Sequence, residues 1–331
     1  MNTLTPLIPL LILVAIQDIL TGVFSAPSIV ATMVATEAMS PRRAIWLSTL
    51  AQLVGPFLFG VAIASRVGSE VVEVQEITPI MLCAALAGTL YWMILSWRFR
   101  IPSSSTHALI GGLVGAVVVA LGPAAIHTNG LFKILFGLTL TAPLGFLGGF
   151  LVTRVCRRFT RRTTVRTDQR FNRGQHVASV FLGLAIGSTN AQNAMGIMAL
   201  GLVAGGVLPH FEVPVWVVGI SAVCLAMGNL VGGMRLIRSV GTQYFPIQPV
   251  HGFGAGVSSV AVITLSALVG GNVSTTHVTS MSIVGAGSAE KLSLIQWSFV
   301  QKVLLTWVLT IPLTAALAGL FYVALAALGV H

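Results

Sequence analysis

Polar positions in this chain are few, and they fall in blocks between long apolar runs. The runs occupy roughly 3–22, 44–65, 79–97, 103–121, 131–153, 175–206, 214–234, 250–270 and 294–327. Most contain the ~20 residues that an α-helix needs to cross the hydrocarbon of a bilayer. Within them apolar residues are continuous rather than alternating, which excludes membrane-spanning strands. The pattern predicts an all-α polytopic membrane protein.

Composition agrees. With 55% hydrophobic residues, 8% charged residues and 35 glycines among 331 positions, the chain cannot cover a soluble globule with polar surface. The net charge of +10 changes the picture only locally. Eight arginines (Arg154, Arg157, Arg158, Arg161, Arg162, Arg166, Arg170, Arg173) lie within 154–174, with Asp168 as the one acidic residue among them. The positive-inside rule explains them as a basic cytoplasmic loop; binding of lipid headgroups or a partner is the alternative, and no nucleic acid is expected. Cys83, Cys156 and Cys224 are odd in number, sit in or beside apolar spans and imply neither a disulfide framework nor a metal site. No motif such as H-E-x-x-H appears and no base neighbours the cysteines, so an enzyme is not expected. Residues 1–22 lack a basic stretch ahead of their apolar run and read as a retained first helix.

Counting crossings outward from the basic loop places Arg42, Arg43, Arg98, Arg100, Arg235, Arg238 and Lys291 inside as well. Arg66, beside Glu70, Glu73 and Glu76, falls outside, so the extramembrane basic residues divide 15 to 1. Both termini then come out external, in a multi-pass protein of the plasma (cell inner) membrane. A first transmembrane repeat (1–153) and a second, inverted one (175–331) flank the loop, with five crossings each, the arrangement many secondary transporters use. The sequence repeats accordingly. "SSSTHALIGGLVGA" (103–116) matches "VSTTHVTSMSIVGA" (273–286) at an offset of 170, setting Thr106 over Thr276 and His107 over His277. "SAPSIVATMVA" (25–35) echoes "NAQNAMGIMAL" (190–200) at an offset of 165, with Ser25 opposite Asn190 and Ser28 opposite Asn193.

Each hydroxyl cluster follows a breaker or turn signal, Pro102 in one case and Gly271-Asn272 in the other, and precedes a glycine-rich apolar segment. This describes two broken or re-entrant helices that start inside the membrane from opposite sides. Helix starts offer unpaired N–H groups and partial positive charge, so the pair would form an anion site without lysine or arginine. Ser104, Ser105, Thr106, Ser274, Thr275 and Thr276 are its candidate contacts, completed by Ser25, Ser28, Asn190 and Asn193. Plain capping, or hydrogen bonding between helices, is the competing explanation. His107 and His277 read first as hydrogen bonders that anchor the helices. Asp18 is the acidic residue well inside a span, and intramembrane carboxylates are candidates for a cation or proton site. Amide oxygens in "STNAQNAMG" offer a second possibility, so Asp18, Gln192 and Thr189 form the candidate coupling-ion set.

With these segments in view, the chain resembles the inorganic phosphate transporter (PiT) family. "PSSSTHALIGGLVGA", "AQNAMGIMALGLVAGG", "MGNLVGGMRLIRSVG", "PVHGFGAG" and "VSTTHVTSMSIVGAG" carry the likeness, and "ATMVATEAMSPRRAIWLSTLAQLVGPFLFG" adds the first repeat. The resemblance implies an ion-coupled symporter that moves phosphate with sodium or protons and holds it between the hydroxyl-rich half-helices. Its signature departs from the family pattern: Ser25 stands at the aspartate position, Ser28 at an asparagine position, Thr189-Asn190 at Asn-Asp and Gly256 at a glutamate. Asp18 matches a family aspartate. Phosphate near neutral pH carries an O–H donor that sulfate lacks, so losing carboxylate acceptors relaxes discrimination between them. It also leaves Asp18 or a histidine as the candidate proton carrier. The expected partners are inorganic phosphate or a similar tetrahedral oxyanion and the lipid bilayer, with a homodimer left open. No cofactor is expected beyond a coupling Na+ or H+. A sulfate or other oxyanion permease, an anion channel and a sensor on the same fold are the alternatives.

Overall fold

The computed structural model describes residues 7–329 except 59, 70, 100, 102 and 161–164; side chains at 66–69, 232–236 and 238–243 are also outside the described set. Glu70, Arg100, Pro102, Arg161 and Arg162, and the side chains of Arg66, Arg235 and Arg238, therefore lie outside the described residues.

Among the described residues every element is helical. The eleven α-helices are α1 (Ile8–Ala35), α2 (Pro41–Val54), α3 (Ala62–Ser69), α4 (Pro79–Arg98), α5 (Ser105–Leu121), α6 (Thr128–Phe159), α7 (Val165–Ala204), α8 (Val215–Gln243), α9 (Pro249–Leu268), α10 (Thr275–Ser288) and α11 (Trp297–Ala327). Helices α1, α4, α6, α9 and α11 are long and apolar enough to span a bilayer; α5 and Val215–Val231 are shorter apolar helices.

Two expectations change, and the second hydroxyl-rich segment opens a short helix. The apolar run 44–65 is not one helix: α2 stops at Val54, a 3₁₀ turn covers Gly55–Phe57, and α3 begins at Ala62. Pro56 cannot donate an N–H, and Gly60 takes φ 69°, a left-handed turn conformation. The basic stretch 154–174 is not loop throughout, because α6 runs on to Phe159 and α7 starts at Val165. Arginine and glutamine are good helix formers, so the helices outlast their apolar runs. Finally, α10 has 14 residues and spans about 21 Å at 1.5 Å per residue, too short to cross a core of ~30 Å alone. It follows a sharp stop after α9, where Gly270 takes φ 68° and the N–H of Gly271 bonds the carbonyl of Ser266 at 2.8 Å.

Every residue of α10 except Met281 is buried. Such a helix must pack closely on all sides, and small residues permit it. A Cβ on Gly285 would strike the backbone carbonyl of Phe146 on α6, and a Cβ on Gly115 of α5 would strike that of Ala315 on α11. Thus α5 seats on α11 while α10 seats on α6, each at the same point of its own sequence. A second exchange holds α1 and α7. Gly228 of α8 presses on the Ile19 carbonyl of α1 and Gly55 on the Leu184 carbonyl of α7, the two carbonyls lying 165 positions apart. Beyond α10, Glu290 lies 2.7 Å from Arg157 Nη2 and 3.0 Å from His251 Nε2, tying that end to α6 and α9.

Candidate functional site

Ser104 and Ser274 stand just before α5 and α10 in extended backbone. Each hydroxyl accepts the backbone N–H three residues on, from His107 at 3.2 Å and from His277 at 3.3 Å. These are helix N-caps, and they explain locally why serine occupies both positions.

Capping is not all that they do. The Ser274 hydroxyl donates to Ser104 Oγ at 2.9 Å, so the two helix starts meet tip to tip. The His107 and His277 rings touch, with centroids 4.3 Å apart, and His277 also stacks on Trp307 of α11 at 3.6 Å. Helix α7 brings two amides to the junction. Asn193 donates Nδ2–H to Thr106 Oγ1 at 3.2 Å, and Asn190 Oδ1 accepts the Thr275 hydroxyl at 3.2 Å. One turn apart on one face, these amides each reach a different tip. The structure therefore gathers Ser104, Thr106, Ser274, Thr275, Asn190 and Asn193, all buried. Thr276 is buried at the α10 tip, and Ser105 is half-buried at that of α5.

Chemically the junction combines two helix N-termini, their partial positive charge, six hydroxyls and two amides. Such a constellation suits an anion with several oxygens, recognised by hydrogen bonds and dipoles rather than by a salt bridge.

Other expected residues have different surroundings. The Ser25 hydroxyl bonds Gln52 Oε1 at 2.8 Å, and Gln52 Nε2 donates to Asn229 Oδ1 at 2.6 Å. Asn229 in turn donates to Ser48 at 2.8 Å and Thr49 at 2.7 Å, so Ser25 belongs to a buried network joining α1, α2 and α8. Ser28 lines a cleft with Thr32, Ser179, Ser259 and Thr279. Asp18 faces Ser221 on α8, and its Oδ2, like the neighbouring Gln17 Oε1, is buried with no hydrogen-bond partner. Gln192 accepts the N–H of Ile63 at 2.9 Å and donates to Ser188 at 3.1 Å; the buried Thr189 hydroxyl finds no partner. Gln52, Asn229 and Trp307 were not expected at or beside the site. The first two carried a signal, being amides inside apolar runs.

A profile described as the phosphate transporter family matches residues 21–318. The chain belongs to that family. A relative from Rhizobium meliloti (strain 1021), named "Probable low-affinity inorganic phosphate transporter", is 34% identical over 322 residues, covering 96% of each chain. A protein of the same name from Bacillus subtilis (strain 168) is 32% identical over 309 residues and 92% of each chain. Among solved structures, one described as "The sodium-dependent phosphate transporter" superposes with a TM-score of 0.88 at 20% identity, over 98% of this chain and 99% of that one. The family's fold thus extends over essentially the whole chain.

Proposed function

We propose that this member of the phosphate transporter family is a secondary active symporter that carries inorganic phosphate through the membrane, with the anion held where α5 and α10 meet. The tip-to-tip bond between Ser274 and Ser104 carries this reading, because facing helix starts form a donor-rich site for an oxyanion in the middle of a packed bundle. Ser104, Ser105, Thr106, Ser274, Thr275 and Thr276 supply hydroxyls and backbone N–H groups. Asn190 and Asn193 hold the threonines in place and add an amide donor. Ser25, in its network with Gln52, and Ser28, in a cleft that also holds Thr279 of α10, complete the proposed set from α1.

The reciprocal seating of α5 on α11 and of α10 on α6 supports reading 1–153 and 175–331 as inverted repeats that can rock about the shared site. Asp18, with its unpartnered carboxylate oxygen, is the proposed seat of the coupling cation or proton, with Thr189 and Gln192 contributing from α7. The basic segment would face the cytoplasm, leaving both termini outside the cell inner membrane.

Uptake of labelled phosphate and sulfate into one set of proteoliposomes, with sodium and pH gradients imposed separately, tests the proposal. Accumulation of phosphate against its gradient is expected. Equilibration without accumulation would identify a channel, sulfate uptake without phosphate uptake would change the substrate, and uptake of neither would end the reading.

A further inference from the structure

We infer that His107 is a proton-binding group of this anion site, and that its protonation releases the hydroxyl hydrogens of Ser104 and Ser274 to a bound anion. The inference rests on the proposed oxyanion site and follows from hydrogen-bond accounting at one atom.

A serine hydroxyl donates one hydrogen and accepts two. Ser104 Oγ accepts the backbone N–H of His107 at 3.2 Å and the hydroxyl of Ser274 at 2.9 Å. Its own hydrogen is left for its third partner, His107 Nδ1, at 2.9 Å. His107 Nδ1 must then be an acceptor, which makes the imidazole neutral with its hydrogen on Nε2. In this state both hydroxyl hydrogens at the junction are consumed internally, one by Ser104 and one by the ring.

A proton taken from water onto Nδ1 reverses the arrangement. Nδ1 becomes a donor to Ser104 Oγ, which already receives two hydrogen bonds and has no third lone pair to offer. The Ser274 hydroxyl is displaced, and the Ser104 hydrogen loses its acceptor. One N–H bond forms on the ring as one O–H bond breaks in the hydronium ion that delivers the proton, leaving a water molecule. The junction gains a positive charge and two free O–H donors, which a phosphate oxygen would take up as charge-assisted hydrogen bonds.

The neighbourhood sets the stoichiometry. His277 is the titratable group in ring contact with His107, and two cationic rings in contact at this depth repel, so the pair holds a single proton. On α4, Tyr91 packs on Phe321, Cys83 lies against the apolar core and Arg98 is exposed. On α11, Lys302 is exposed and Tyr322 packs beside Ala318, while Asp18 of α1 faces Ser221. By linkage, an anion bound more tightly by the protonated form raises the proton affinity of His107 by the same factor. This links proton binding to anion binding at the junction, in addition to the ion exchange proposed at Asp18.

The test is calorimetric phosphate binding to the purified full-length protein in two buffers of different ionisation enthalpy, from about pH 8 down to about pH 4, a range that extends past the acid side of ordinary histidine titration. His107→Asn is the informative variant, because its amide oxygen still accepts the Ser104 hydrogen but does not titrate. Phosphate's own protonation is common to both proteins, so the difference between them isolates the histidine. The wild type is expected to take up more protons per phosphate than His107→Asn, and its affinity relative to the variant to rise about tenfold toward acid pH, a typical coupling strength. Equal proton uptake and parallel pH profiles would overturn the inference. Ser274→Ala gives an independent reading should His107→Asn fail to fold. It removes the competing donor, so the proton-linked transition should move to higher pH, and an unmoved transition would equally refute the role. Absence of phosphate binding to the wild type at every pH would sink the oxyanion site itself, and this inference with it.

Discussion

Ser274 donates to Ser104 across 2.9 Å, although the two serines are 170 positions apart and cap different helices. Two caps that served only their own helices would have no reason to meet. Their contact places two helix N-termini in one buried space, and the flanking pairs Asn193–Thr106 and Asn190–Thr275 repeat the relationship from a third helix. The two tips and α7 therefore pack as one hydrogen-bonded junction.

Replacing Thr106 and Thr276 together by valine keeps their size and deletes two hydroxyls. A hydrogen bond to a charged group contributes about 1.5–3 kcal/mol, so losing two should weaken phosphate binding by ~100-fold or more. Asn193 loses its acceptor in the same variant, and the melting temperature should fall by a few degrees. Calorimetric titration together with a thermal melt checks both numbers. Unchanged affinity would return the threonines to a capping role.

The close seat of α10 on α6 gives a stability prediction with its own control. Gly285→Val places a branched side chain against the Phe146 carbonyl, and overpacking of this kind costs about 1–3 kcal/mol or more. Gly219→Ala on α8 meets nothing within 4 Å and should be neutral or slightly stabilising, since alanine is the better helix former. Thermal melts in one detergent compare the two, and equal melting temperatures would contradict the packing described for α10.

The paired hydroxyl clusters were legible in the sequence because a motif repeated in both halves survives translation into space. The amides Asn190 and Asn193 were legible for a related reason: polar groups in an apolar run stand out, and their spacing puts them on one helix face. Ser25 was not assignable in the same way. Its partners Gln52 and Asn229 come from α2 and α8, and nothing in a linear pattern pairs residues 27 and 204 positions apart. The break after Val54 was hidden because Gly55-Pro56 lies inside a run whose hydrophobicity does not fall. The stack of His277 on Trp307 was hidden as well, since an aromatic residue on a lipid-facing helix carries no mark of the one face that turns inward.

Asn229→Ala separates the network around Ser25 from the anion junction. It removes a bridge that accepts from Gln52 and donates to Ser48 and Thr49, leaving the buried Gln52 amide unsatisfied. A cost of about 2–4 kcal/mol follows, from an unpaired buried amide and the small cavity beside it. The expected result is a clearly lower melting temperature with phosphate affinity changed by less than about threefold. A large loss of affinity at unaltered stability would show that the network reaches the substrate.

Asp18 is the sharpest test of coupling. Its carboxylate is buried between α1 and α8 beside Gln17 and Ser221, and one oxygen lacks any hydrogen-bond partner. A buried carboxylate in that condition costs several kcal/mol unless a cation or a proton neutralises it. Asp18→Asn keeps the shape and removes the charge, so the fold should survive and the melting temperature should hold or rise. Phosphate exchange across proteoliposomes, which needs no net ion movement, should remain within about threefold of wild type. Accumulation driven by a sodium or pH gradient should collapse, because the variant no longer exchanges a charge-neutralising ion on each cycle. Which gradient fails to drive the variant, while still driving the wild type, identifies the coupling ion. If accumulation persists undiminished under both gradients, Asp18 is a structural carboxylate and coupling resides elsewhere.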